Sequence, residues 1–146
     1  EYYENGSVEK EGTIKLGKKE GLCKIYYENG KLHQVGNFVS DLREGLWETY
    51  FSNGEIHEEC VWKNDKQEGC SKLYYENGKL ESEMFFKDGI LEGLSKDWFE
   101  NGNLKHEQNL IDGNQDGTSK EWFENGQLKI ECDFKNGLKM VNYTMK

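Results

Sequence analysis

One dipeptide recurs along this chain with a fixed period. Asn-Gly falls at Asn5-Gly6, Asn29-Gly30, Asn53-Gly54, Asn77-Gly78, Asn101-Gly102 and Asn125-Gly126, each 24 residues after the last. A unit this short cannot bury a core alone, so it must stack on its neighbours, and the repeat dictates the fold. Two further columns keep the period. Gly21, Gly45, Gly69, Gly93 and Gly117 each follow Glu or Asp, and an aromatic pair stands one residue before each of five Asn-Gly turns. Those pairs are Tyr26-Tyr27, Tyr50-Phe51, Tyr74-Tyr75, Trp98-Phe99 and Trp122-Phe123.

Asn-Gly between strand-like runs marks a tight hairpin, because a two-residue turn needs positive φ at both positions. Each repeat is therefore expected to be one β-hairpin, turning at residues 5–6, 29–30, 53–54, 77–78, 101–102 and 125–126. Around Asn29-Gly30 this pairs Tyr27 with Leu32, Tyr26 with His33 and Lys24 with Val35. The link between hairpins has two readings. A two-residue turn at Asp88-Gly89 would slide each repeat along the sheet and set Glu83 against Leu94. A four-residue loop, Asp88 to Leu91, leaves no slide. The second places Lys24, Val35, Glu48, Glu59, Lys72, Glu83, Lys96, Glu107, Lys120 and Glu131 in one row. From Lys72 onward the signs alternate, and opposite charges facing across strands contribute ~0.2–1 kcal/mol per pair. The unslid register follows.

The expected fold is all-β: an elongated, single-layer antiparallel sheet of tandem 24-residue hairpins. The whole chain, 1–146, reads as one array. Because it opens inside a repeat, it is expected to be truncated at the N-terminus, and 138–146 drops the pattern as a degenerate cap. Pleating then assigns two faces. Face one carries Tyr27, Leu32, Phe51, Ile56, Tyr75 and Leu80 in one row and Phe38, Trp62, Phe86, Leu110 and Phe134 in another. A mixed strip between them holds Trp47, Leu73, Met84, Ser95, Asp97, His106, Ser119 and Glu121. Face two carries the charge ladder beside Tyr26, Tyr50, Tyr74, Trp98 and Trp122. The second glycine column lies opposite Phe38, Trp62, Phe86 and Phe134, whose rings are expected to cover the missing side chains.

Composition sets limits. Aromatics reach 13%, which argues against disorder. The net charge is −9, which disfavours nucleic acid and anionic membrane, since both are met by Lys and Arg. No apolar run approaches the ~20 residues of a spanning helix.

The segment Glu-Gly-Leu-Ser-Lys-Asp-Trp-Phe-Glu-Asn-Gly-Asn-Leu-Lys (92–105) and its copies at 20–33, 44–57, 68–81 and 116–129 resemble the MORN-repeat variant of bacterial YwqK-like antitoxins. The resemblance implies hairpins side by side in an elongated sheet, and a noncatalytic role binding a protein partner, in the antitoxin cases a toxin. A weaker likeness is to the aromatic repeats of bacterial cell-wall-binding proteins. Those are shorter, and the Glu-Gly and Lys-Glu columns fit the MORN variant better.

Candidate chemistry is sparse. Cys23, Cys60, Cys70 and Cys132 are too far apart or on opposite faces for disulfides, which need Cα atoms within about 7 Å. They read as free thiols, favouring a reducing, cytoplasmic setting over a secreted or surface one. No Cys-x-x-Cys occurs, so no zinc site is expected. His33 and His57 are expected to pack beside Tyr26 and Tyr50. Asp97, His106 and Glu121 align on three adjacent strands, as an acid/base or metal site would, but also as a solvated polar strip would. No cofactor and no reaction are indicated. The face-two row Tyr26, Tyr50, Tyr74, Trp98 and Trp122 either stacks across the ladder or also meets a partner. A single-layer sheet leaves its apolar rows uncovered, and such patches mark contact sites. The expected function is a noncatalytic protein-binding module of the antitoxin or immunity type, suited to a basic toxin. The alternative is a surface adhesin or glycan-binding array. The strand stub at residues 1–4 also leaves an open edge, which predicts edge-to-edge self-association.

Overall fold

The computed structural model describes residues 1–140. Their regular structure is all strand: β1 (Lys10–Lys15), β2 (Lys18–Tyr26), β3 (Leu32–Val39), β4 (Leu42–Tyr50), β5 (Ile56–Lys63), β6 (Lys66–Tyr74), β7 (Leu80–Lys87), β8 (Ile90–Leu91), β9 (Gly93–Trp98), β10 (Leu104–Ile111), β11 (Asn114–Gln115), β12 (Gly117–Trp122), β13 (Leu128–Lys135) and β14 (Leu138–Lys139). They form one antiparallel sheet in hairpin order, with β8 on β7 and β11 on β10. Most of the expected cap lies outside the described residues; Leu138 and Lys139 pair with β13.

The register is the unslid one. Each residue of the ladder from Lys24 to Glu131 faces its expected neighbour, with Lys96 between Glu83 and Glu107. The turns reach that register by a route other than the expected one. At Asn29-Gly30 the loop has three residues: Gly30 N–H donates to Tyr27 O and Tyr27 N–H to Lys31 O, both at 2.8 Å. Only Gly30 has positive φ, +79°. Asn29 instead accepts the Lys31 N–H on Oδ1 at 3.0 Å, the side-chain turn that short amides favour. The odd residue is absorbed by a bulge at His33, so Tyr26 faces Leu32 while Ile25 faces Gln34. The same amide contact recurs at Asn53, Asn77, Asn101 and Asn125.

The other link is a two-residue turn. Asp88 and Gly89 have φ of +52° and +85°, and Lys87 faces Ile90. Alone it would slide the sheet. A bulge removes the slide: between the pairs Phe86–Leu91 and Glu83–Lys96, residues 84–85 oppose 92–95. The second glycine column sits in these bulges. Gly45 has φ +78°, and a Cβ added there would meet nothing within 4 Å. Backbone conformation, not a covering ring, is what requires glycine there. The acid before it caps the following turn. Glu20, Glu44, Glu68 and Glu92 accept the backbone N–H of Ser40, Asn64, Asp88 and Asp112 at 2.8–2.9 Å.

A ring does close over a glycine at Gly36, where a Cβ would lie 2.0 Å from Trp47 Cδ2. The buried residues run along mid-strand on face one: Cys23, Gly36, Trp47, Cys60, Ser71, Ser82, Ser95, Leu110 and Ser119. With no second layer, mostly small side chains between two rows of large ones are what this face can bury. The first aromatic column also ties repeats together. The hydroxyls of Tyr27 and Tyr75 donate to the backbone oxygens of Tyr50 and Trp98, both at 2.6 Å. Among the described residues no helix is long and apolar enough to cross a membrane.

Candidate functional site

Face two begins with the tyrosines the aromatic column supplies. Tyr26, Tyr50 and Tyr74 donate to Glu11, Glu48 and Glu59 at 2.9, 3.0 and 2.6 Å. Burial, followed by the Glu59 hydrogen bond, pushes Tyr74 up to about 12. Tyr50 is raised by burial and Glu48, and Tyr26 chiefly by its hydrogen bond to Glu11. Trp98 and Trp122 continue the column, half-buried. Trp122 stands where a bulge interrupts the pleat, and it borders a groove shared with His106 and Glu121.

The ladder is uneven. Lys96 reaches Glu107 at 3.0 Å and Lys120 reaches Glu131 at 3.4 Å. Further back, Glu48 lies directly opposite Glu59, like charges that oppose pairing. Beside the ladder runs an apolar stripe that the sequence reading missed: Leu22, Leu46, Val61, Phe85 and Leu94, all exposed. Leu46 faces Val61, and Cys70 faces Phe85. Its signal was present as the leucine after the repeat glycine in Gly21-Leu22, Gly45-Leu46 and Gly93-Leu94. A depression of about 190 Å³ there is lined by Leu46, Glu59, Cys70 and Lys72.

On face one, Asp97, His106 and Glu121 do come together, at a groove of about 520 Å³ walled also by Phe99 and Phe123. The register puts His106 between Asp97 and Glu121. The contacts are different. His106 Nδ1 lies 3.4 Å from Asp97 Oδ2 and Nε2 lies 3.1 Å from Ser119 Oγ. Ser82 donates to Asp97 at 2.8 Å, while Glu121 holds Lys129 at 3.1 Å. Hydroxyl, imidazole and carboxylate thus fall in the order of a nucleophilic triad, a hydroxyl the sequence reading did not connect to His106. Ser119 is nevertheless only 9% exposed and lies outside the groove's lining. The arrangement is a half-buried polar chain whose serines lie inside the sheet and whose His106 and Asp97 border the groove, each hydrogen-bonded to its neighbours. Among the described residues no cluster of His, Cys, Asp or Glu could hold a metal ion.

His33 and His57 stack on Tyr27 and Phe51, each with ring centroids 4.4 Å apart, and not on Tyr26 and Tyr50. The bulge turns them toward the other column. Lys105 takes the equivalent place over Phe99 at 5.7 Å. All four cysteines are free. Burial raises the thiols of Cys60 and Cys70.

Hairpins that each pair with the next in sequence, at a fixed repeat, define a tandem repeat array whose long faces are its working surfaces. The family model of the MORN repeat variant matches residues 1–15, 19–40, 43–64, 67–88, 91–112 and 115–136, and the chain belongs to that family. The family is one of noncatalytic repeats that bind proteins or membranes. A comparison with curated proteins returns no match.

Proposed function

We propose that this chain is a noncatalytic protein-binding module of the YwqK-like antitoxin or immunity type, engaging a basic protein through face two. The observation that carries the proposal is the composition of that face. Tyr26, Tyr50 and Tyr74 run beside carboxylates next to an exposed apolar stripe, and Trp98 and Trp122 continue the column. Interface cores and rims are built this way, from aromatic anchors bordered by charge. A net charge of −9 favours a basic partner by steering its approach, and it disfavours anionic membrane and nucleic acid. The thiol cysteines suit a reducing, cytoplasmic setting.

The test is affinity capture with the immobilised chain against Trp98→Ala/Trp122→Ala, read by mass spectrometry. A protein held by the wild type and lost by the folded variant supports the reading. The aromatic row also suits an adhesin or glycan-binding array. Retention of cell-wall polysaccharide, with no variant-dependent protein captured, would favour that second reading. Edge-to-edge pairing of copies at high concentration is proposed through the outer side of the strand stub at residues 1–4, whose Tyr2 bridges Val8.

A further inference from the structure

The like-charged pair in the ladder stands beside an exposed apolar part of face two. Glu48 faces Glu59, and two residues along each strand Leu46 faces Val61, both exposed. Elsewhere in the ladder a lysine answers each glutamate it reaches, at Lys96–Glu107 and Lys120–Glu131. Here Glu48 and Glu59 face each other, with Val35 on the far side of Glu48 and Lys72 on the far side of Glu59, two negative charges to one positive. Lys72 lies across from Glu59 and Glu83 but forms no ion pair within 4.0 Å among those found in the described residues. The depression between Leu46, Glu59, Cys70 and Lys72 has a volume of about 190 Å³.

The geometry points to an arginine-anchored docking site: a segment of a partner protein lays an arginine stem across Leu46 and Val61 and brings its guanidinium to Glu48 and Glu59. The inference rests on the reading that face two binds a protein, and it adds which part binds and what is recognised. An arginine stem covers apolar surface while its head stays polar, and its fork suits two carboxylates better than a lysine's point charge does. The chain makes a comparable contact internally. Arg43 lies 3.3 Å from the Trp62 ring centroid and pairs with Asp65. The groove on face one does not offer this, because Lys129 already holds Glu121 and Lys105 already covers Phe99.

The probe is a short synthetic peptide of alternating arginine and leucine, titrated by calorimetry and by backbone amide NMR. Shifts centred on Leu46, Glu48, Glu59 and Val61 are expected. Glu48→Gln/Glu59→Gln should weaken binding about tenfold or more, and replacing arginine by lysine in the peptide should weaken it less. The double variant removes a like-charge pair but also replaces the carboxylates that accept the Tyr50 and Tyr74 hydroxyls, so its urea midpoint is measured alongside and binding is read under conditions where it is folded. No binding of the arginine peptide overturns the inference, as does an unchanged affinity in the folded double variant. Loss in Trp98→Ala with no effect of the glutamate pair overturns it while leaving the face-two reading in place. Shifts centred on Phe99 and His106 overturn both. Binding to phosphatidylglycerol vesicles in place of the peptide overturns both in favour of a membrane.

Discussion

Gly36→Ala is expected to destabilise the array, against the usual direction for glycine in a strand. Gly36 has no left-handed φ, so alanine fits its backbone and by chain entropy alone would gain about 0.5–1 kcal/mol. The added Cβ, however, lands 2.0, 2.2 and 2.5 Å from Cδ2, Cε2 and Cγ of Trp47, where ordinary contact begins near 3.4 Å. The ring must move by more than an ångström. Trp47 is 4% exposed, donates from Nε1 to Asn37 O at 3.2 Å and meets Phe38 edge-on at 5.0 Å. Overpacking of this kind costs about 1–3 kcal/mol, and expelling the ring outright approaches the ~3–5 kcal/mol of Trp→Ala. The net loss should be about 1–2 kcal/mol, because the entropic gain is the smaller term. Urea unfolding followed by far-ultraviolet circular dichroism measures it without relying on tryptophan emission. Gly12→Ala is the matched control: its Cβ would lie 3.7 Å from Cys23 Sγ, and it should be neutral or stabilising. In a Trp47→Ala background, Gly36→Ala should lose its penalty. A Gly36→Ala chain at or above the wild-type midpoint, or one equally destabilised without Trp47, refutes the clash.

Tyr74 should ionise near pH 12 rather than at its ordinary 10.0. The folded chain holds this proton more tightly than the unfolded one, so the contribution to stability is complete below about pH 10 and is lost as pH climbs toward 12. Absorbance titration of Glu59→Gln should bring the late phase back toward 10. Lys96→Glu, set between Glu83 and Glu107, should lower stability by about 1 kcal/mol; a slid sheet would show no such loss in chemical denaturation. Thiol titration should count four cysteines in denaturant, while in the native state Cys23 and Cys60, both buried, react last. A denatured count of two would mean a disulfide. Gly45→Ala, at φ +78°, should cost about 1–2 kcal/mol through backbone strain alone, read as a shift in the urea midpoint.

The period of 24 residues by itself determined that the chain is a row of hairpins, and alternating charge from Lys72 to Glu131 determined how they align. Both are legible because each hairpin meets only its neighbours, so pairing obeys short-range rules that a linear sequence displays. Along mid-strand the faces were legible for the same reason, since side-chain alternation is fixed by the backbone, but beside the turns they were not: Leu32, Ile56 and Leu80, expected with Tyr27, Phe51 and Tyr75, stand opposite Tyr26, Tyr50 and Tyr74. What the sequence hid was the bookkeeping of single residues around the turns. A three-residue loop with a bulge at His33, and a two-residue turn with a bulge at Gly45 or Gly93, leave the same ladder as the simpler loops expected. The pattern constrains only the sum of turn and bulge, and backbone conformation divides it. That division decided the local chemistry. It moved His33 and His57 onto Tyr27 and Phe51, gave the glycine column to positive φ rather than to covering rings, and set the preceding acids on backbone amides of the next turn. Tertiary structure also decided which apolar rows stay in water. Face one screens its small mid-strand residues between large ones, whereas the stripe through Leu46 and Val61 runs beside the charge ladder and stays exposed among the described residues.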